Sequence, residues 1–390
     1  MMPGMDSDAL VTLASDLIRA PSPSGREGPA AEVLLRAFRE LGFDEVRRDE
    51  AGNVLGVFRR GDGPVVMFNG HLDTVPVGDA SLWPQPPLSG AVVDGRLWGR
   101  GACDMKGALA CMTLAAADAA RSGFAGTLVV AGVVQEEVGG LGARFLGETL
   151  PADIIVLGEP SKLDLMLGHR GRIELEVRFP GRIAHAAKAE LGENALLNAA
   201  HFLERLERVE LPSGGPLNAS SATPTQLLTF PEGGVNVVPG AAVLTVDYRT
   251  IAGDDEASVV RRLHAVADDP RVQITVPTEY AQSEDGALRR EFPRSVDAYL
   301  APGESPVIET ARGALRAAMA EAGRTLGERT WWFATDAPHL VRSGGVVIGF
   351  GPGEEELAHT TDESVEVEGL HAARAGYRAL AHAFLGQEVK

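Results

Sequence analysis

Cysteine is almost absent from this chain: Cys103 and Cys111 are the two in 390 residues. They fall in or beside one predicted helix and are poorly placed to bridge each other, so no disulfide scaffold is possible and a reducing compartment is expected. Long apolar runs are missing too. None reaches the roughly 18 residues of a membrane span, and the opening MMPGMDSDAL carries two aspartates and no Lys or Arg, the wrong start for a secretory signal. A cytoplasmic protein is the expectation. Positive charge is scarce, with 36 basic against 54 acidic residues and a formal net charge of −18 at pH 7. A field of that sign repels phosphate backbones and anionic lipid, which argues against nucleic acid or a membrane surface as partner. What remains is globular material, 45% hydrophobic and 23% charged, with enough apolar surface to offset ordering. The length suggests two or three domains.

Helical spacing predicts helices over 9–20 and 27–41, separated by the breaker PSPSGREGPA. NVLGVFRR, the turn GDG and PVVMFNGHLDTVP then read as a hairpin-like stretch. Its second limb is a buried strand that ends at Asn69-Gly70. A small-residue helix over 108–120, the strand TLVVAGVV and the strand DIIVLGEPS follow. Strands and helices alternating with this parallel-type burial indicate an α/β layer. From Gly171 the texture changes. RIELEVRF alternates in the manner of a half-exposed strand, and two helices and further strands up to VQITVPTEY describe a small α+β unit with an antiparallel sheet. The α/β texture resumes near Pro302, so the small unit is expected as an insert.

Acidic and histidine side chains gather at the predicted strand ends: His71 and Asp73, Asp104, Glu136 and Glu137, Glu159, and His359. Open α/β sheets collect ligands at the carboxyl edge of their strands. Imidazoles with carboxylates suit Zn²⁺, Co²⁺ or Mn²⁺, and two ions sharing a bridging carboxylate would employ five such groups together, one of Glu136 and Glu137 staying free as a base. Each residue has an ordinary alternative. His71-x-Asp73 can be a chance loop pair, Asp104 can simply cap the helix that follows it, Glu136-Glu137 can be a solvated turn, and His359 can be a loop histidine among acids. GRGACDMKG lacks both a P-loop ending and dinucleotide-binding glycine spacing.

The segments MFNGHLDTVP, GRGACDMKG, VVQEEVGG, VLGEPS and GFGPGEEELAHTTDE resemble, in this order and over nearly the full chain, the co-catalytic dinuclear zinc amidohydrolases. That family contains acetylornithine deacetylase, succinyl-diaminopimelate desuccinylase, aminoacylases, glutamate-releasing carboxypeptidases and certain dipeptidases. The resemblance implies a zinc-exopeptidase-like α/β catalytic domain with a mixed, mostly parallel sheet, built from residues 1–171 and 291–390. It also implies an inserted ferredoxin-like α+β dimerisation and lid domain over 172–290. Two divalent ions would be bound, zinc first, with cobalt or manganese as alternatives. His71, Asp104 and Glu159 would hold one, and Asp104, Glu137 and His359 the other. Asp73 would orient His71, Glu136 would be the general base, and His185 would reach the site of the partner in a homodimer. Asn236 and Arg249 match positions that contact substrate or hold the lid. Thr335 and Asp336, in WWFATDAPHL, preserve part of a serine–aspartate pattern, while Trp331-Trp332 reads as core or pocket wall. The implied substrate is an N-acyl amino acid or short peptide. Acetylornithine is the nominal choice, with succinyl-diaminopimelate desuccinylation and dipeptide or carboxypeptidase cleavage as alternatives. A non-catalytic metal-binding or scaffold protein is the different-class alternative.

Overall fold

The fold, a computed structural model, describes residues 6–386. Residues 1–5, part of the opening segment read above against a secretory signal, lie outside the described residues.

A nine-stranded sheet carries the larger body. Its strands are β1 (Glu45–Arg48), β2 (Val54–Arg60), β3 (Val65–His71), β6 (Gly126–Val133), β7 (Ile154–Leu157), β8 (Leu165–His169), β18 (Tyr299–Leu300), β19 (Glu328–Trp331) and β20 (Val346–Gly349). The spatial order is β1-β2-β6-β3-β7-β20-β8-β18, with β19 beside β8. Through the centre, β6, β3, β7 and β20 run parallel; antiparallel pairs flank them. The central strands are nearly continuous Val, Ile, Leu and Ala and are buried almost throughout, as parallel strands covered on both faces must be. The helices are α1 (Asp6–Arg19), α2 (Gly28–Glu40), α3 (Gly107–Ser122), α4 (Leu141–Thr149), α7 (Pro306–Glu321), the short α8 (Ala337–Leu340) and α9 (Val367–Leu385). The Ala, Cys and Met side chains of α3 let it lie close to the sheet, where Leu109 packs over Gly70 and Met112 over Gly158. β4 (Ala91–Val93), β5 (Arg96–Trp98) and β21 (Ser364–Glu366) form a separate three-stranded sheet.

One local expectation is corrected. β2 and β3 do not form a hairpin, because β6 lies between them, antiparallel to β2 and parallel to β3. β6 is apolar on both faces and takes the interior position, and the GDG turn spans the gap.

The chain leaves this sheet after β8 and returns at β18. Between them β9 (Gly171–Pro180), α5 (Ala195–Leu206), β11 (Ser221–Phe230), β13 (Ala241–Thr250), α6 (Glu256–Ala267) and β14 (Gln273–Thr275) follow in β-α-β-β-α-β order. They build an antiparallel sheet β11-β13-β9-β14, the ferredoxin-like arrangement. Ile173, Leu175, Val177 and Phe179 alternate inward along β9 and pack under Phe202 of α5 and Leu263 of α6, a core separate from that of the large sheet. The last strand of this sheet, β17 (Ser295–Val296), pairs with β9 beyond residue 290. Two outlying features complete the region: the short pair β10 (Ala184–His185) and β12 (Val237–Val238), and the hairpin β15 (Thr278–Gln282) and β16 (Arg289–Pro293).

Candidate metal centre and substrate cavity

His71 is the last residue of β3. The Glu136-Glu137 turn follows β6, Glu159 follows β7, and His359 follows β20. These are four adjacent parallel strands, so their carboxyl ends necessarily bring the four loops together. Asp104 arrives from the turn that precedes α3.

The buried ring of His71 donates through Nδ1 to the main-chain carbonyl of Asp73, at 2.9 Å. A carbonyl can only accept, so the neutral ring turns the lone pair of Nε2 toward Asp104 Oδ1, 3.0 Å away. Two acceptors that close require a cation between them, a proton or a metal. His359 Nε2 lies 3.1 Å from Asp104 Oδ2 and 3.1 Å from Glu137 Oε1. Ligands about 2.0 Å from one tetrahedral ion stand about 3.3 Å apart, so these spacings serve a metal as well as a proton. Donor atoms of His71, Asp104 and Glu137, and of His71, Glu136 and Glu159, also fall within 4.8 Å of one another.

Electrostatics point the same way. Burial, then the charge of Asp104, pushes the Glu159 carboxyl well above its usual range. Burial, then Glu159 and Asp336, does the same to Glu136. Burial would lower His71, but the hydrogen bond to Asp104 and the charges of Glu159 and Asp73 outweigh it and raise the imidazole. Hydrogen bonds to Asp104 and Glu137 raise His359 to about 10. A group of acids that reprotonates, beside histidines that hold their protons, is short of positive charge. The donor set therefore fits divalent cations.

Asp73 was expected to orient His71 through its carboxylate. The main chain does that instead. The carboxylate lies 3.6 Å from Nδ1 and accepts the main-chain N–H of Glu136 at 3.1 Å, that of Glu137 at 3.2 Å and the Ser24 hydroxyl at 2.8 Å. Asp73 thus fixes both ends of the site, the histidine by backbone and the glutamate turn by side chain.

A cavity of about 550 Å³ opens over these groups. Arg172, Arg249 and Arg294, from the small sheet and its last hairpin, line it, as do Trp332, Thr335 and Asp336. Of the tryptophan pair, Trp331 is core and donates to the Pro160 carbonyl, whereas Trp332 is 57% exposed and is pocket wall. His185 and Asn236 stand outside the cavity, on the exposed β10–β12 ladder. His185 Nδ1 accepts the Ala187 N–H at 3.0 Å, and the Asn236 carbonyl accepts that of Ala186 at 2.9 Å.

Several contributors escaped the sequence reading. Arg172 and Glu174 project from the face of β9 opposite its apolar residues, a pattern the alternation did display. Arg294, His339 and Glu363 carried no local signal. Glu363 is fully buried, pairs with Arg100 at 2.5 Å, and accepts the N–H groups of Gly101, Cys103 and Asp104, fixing the loop that presents Asp104. Asp336 Oδ2 and His339 Nδ1 are buried without a protein partner, so polar demand remains in the cavity wall.

Fold and site together define a hydrolase. The model of peptidase family M20/M25/M40 matches residues 67–383, and the chain belongs to that family. It is 30% identical over 389 residues to a succinyl-diaminopimelate desuccinylase of Cereibacter sphaeroides, covering 94% of this chain and 96% of the relative. Among solved structures it is similar to aminopeptidase PepT from Bacillus cereus, with a TM-score of 0.75, 21% identity, and 97% and 98% of the two chains covered. It is also similar to the Bacillus subtilis YXEP protein, a dinuclear metal binding peptidase, with a TM-score of 0.71, 17% identity, and 98% and 99% covered.

Proposed function

We propose that this chain hydrolyses the amide bond of an N-acyl amino acid whose acyl group carries its own carboxylate, a succinyl group before others. His71, Asp104 and Glu159 would hold one divalent cation and Asp104, Glu137 and His359 a second, with zinc preferred and cobalt or manganese satisfying the same donors. The observation that carries the metal assignment is the pair of histidines on opposite oxygens of Asp104. Such a cation pair supplies Lewis acidity toward an attacking water and the amide carbonyl. Glu136, in the same donor group as His71 and Glu159, takes the proton of that water and returns it to the leaving amine. Asp73 keeps Glu136 in reach by holding its N–H.

Substrate choice rests on the cavity wall. Arg172, Arg249 and Arg294 offer forked donors to carboxylates. All three are paired with Asp247 or Glu174; their remaining donors can be shared by a carboxylate on the acyl group, and an acetyl group offers none. The Cereibacter sphaeroides relative named above is a succinyl-diaminopimelate desuccinylase, which supports the alternative over the acetylornithine reading. Short peptides with a free carboxylate remain in the comparison panel. Turnover of N-succinyl-diaminopimelate well above N-acetylornithine, lost on chelation and restored by Zn²⁺ or Co²⁺, supports the reading. The reverse preference contradicts it.

We also assign residues 172–290 to a lid and dimer contact. Ile183 is 61% and Val235 98% exposed, beside His185 and Asn236 on the β10–β12 ladder. Exposed apolar side chains grouped in this way suit a second copy of the chain. Sedimentation of a monomer at micromolar concentration would remove that assignment. Cys103 and Cys111 are free and buried, and no helix among the described residues is long and apolar enough to cross a membrane. Both features suit the cytoplasm.

A further inference from the structure

The hairpin β15–β16 leaves the small sheet but docks on the large body. Phe292 of β16 is buried with Ala281 against Leu141, the first residue of α4, and the Arg144 guanidinium covers its ring at 4.3 Å. At the tip, Glu284 pairs with Arg48 at 3.0 Å. At the base, Arg294 donates its N–H to the Pro277 carbonyl at 2.8 Å, and its guanidinium, paired with Glu174, lines the cavity. One element therefore touches the cavity at its base and the catalytic sheet along its length.

A further contact is with Gln135. The side-chain amide of Gln135 donates to the main-chain carbonyl of Gln282, at 2.8 Å. The N–H of Gln135 goes to the buried Glu27 carboxylate at 3.2 Å, and its carbonyl accepts from Gly140 at 2.8 Å. Gln135 is buried and sits at φ 58°, in the left-handed region. A non-glycine residue pays for that conformation in strain, and glycine would occupy it freely. The main-chain bonds to Glu27 and Gly140 hold the backbone there, and the side chain adds a contact of its own. What it supplies is a tie to the hairpin, one residue before Glu136.

We propose that Gln135 is a positioning residue for Glu136, and that the docked hairpin supplies its partner. Docking of the hairpin then sets the reach of the general base. This rests on the reading of Glu136 given above. Asp73 holds the turn from the β3 side through the N–H groups of Glu136 and Glu137, and Gln135 holds it from the hairpin side. Releasing the second tie lets the carboxylate drift while the Asp73 contacts, and the cation ligands, stay in place.

The test compares Gln135→Ala, Gln135→Gly, Phe292→Ala and the Gln135→Ala/Phe292→Ala double variant with the wild type in the full chain loaded with Zn²⁺. Steady-state hydrolysis of N-succinyl-diaminopimelate is read beside bound zinc and hydrogen exchange of the 134–141 peptide. Displacement of a reacting group by about 1 Å costs about a hundredfold. We therefore expect kcat to fall about tenfold to about a hundredfold in each single variant, with KM and bound zinc unchanged and exchange of the turn accelerated. The double variant should be no worse than the weaker single, because both remove the same tie. Gln135→Gly relieves the backbone but lacks the amide, so it should stay slow; wild-type kcat in that variant overturns the proposal. Additive losses, or unchanged exchange in Phe292→Ala, overturn it equally. Should the wild type itself not turn this substrate over, the function reading fails. The exchange arm still decides whether the hairpin holds the turn.

Discussion

His71 and His359 stand on opposite oxygens of a single carboxylate: Nε2 of His71 lies 3.0 Å from Asp104 Oδ1, and Nε2 of His359 lies 3.1 Å from Asp104 Oδ2. A carboxylate shared in this way can serve two ions at once, whereas each histidine serves one. Asp104→Ala should therefore bind neither cation tightly, while His359→Ala should retain one per chain. Elemental analysis of the purified variants checks this. Two ions in Asp104→Ala would show that Asp104 does not bridge.

Glu136→Gln removes a proton acceptor while keeping the shape and the main-chain bond to Asp73. General-base catalysis contributes about a hundredfold to about ten-thousandfold, so kcat should fall within that range, with two cations still bound and thermal stability unchanged. Parallel metal and stability measurements separate loss of the base from loss of the site.

Arg100 and Glu363 form a buried ion pair beneath the Asp104 loop. Removing one partner of such a pair costs about 3–5 kcal/mol, because the other charge is left alone. Burial, then the charge of Asp104, raises Glu363 to about 7 even beside Arg100. In Arg100→Ala the freed carboxyl can take up a proton in acid, so the loss of stability should be smaller below about pH 6 than above about pH 8. Denaturant titrations of the metal-loaded variant at the two pH values test this.

The sequence displayed what depends on strand ends and little of what depends on distant pairing. Glu159 follows a strand whose four residues are all buried and is itself buried. His71 ends a strand of the same kind, and Glu136-Glu137 and His359 follow two more, so their convergence was legible once the layer was recognised. The β2–β3 pairing was not. Adjacency in the chain suggested a hairpin, and only the apolar character of β6 on both faces explains why it separates them. Gln282, Arg294 and Glu363 depend on contacts across 147, 120 and 263 positions of the chain, respectively. No local periodicity reports those. The role of the Asp73 carboxylate was missed for a simpler reason: residue spacing shows that a carboxylate can approach a ring, but not that a main-chain carbonyl is there first.

The metal-free chain should lose stability as pH rises. Glu27 and Asp336 are raised to about 7, each chiefly by burial, and burial also raises Glu136 and Glu159 well above the usual carboxylate range. A folded state that holds these protons more tightly than the unfolded chain has its full contribution below about pH 4.5 and loses it as the folded groups ionise toward about pH 7 and above. His359, raised to about 10, extends the decline into alkali. Asp104 runs the other way. The histidine hydrogen bonds outweigh burial and lower its carboxyl, so its contribution fades only in strong acid. Bound cations replace those protons, so melting temperatures measured from about pH 5 to about pH 9 should fall steeply for chelator-treated protein and much less after Zn²⁺ is restored.

The central claim is that the Asp104-centred donor set, under a wall of arginines, hydrolyses a carboxylate-bearing N-acyl amino acid. Its most direct test is hydrolysis of N-succinyl-diaminopimelate and N-acetylornithine by one preparation, chelated and then titrated with Zn²⁺. The account predicts activity that rises to a plateau near two ions per chain, and a kcat/KM for the succinyl substrate at least about tenfold above that for the acetyl one, the worth of one charge-assisted hydrogen bond. Full activity in the chelated chain, or equal turnover of the two substrates, would contradict it.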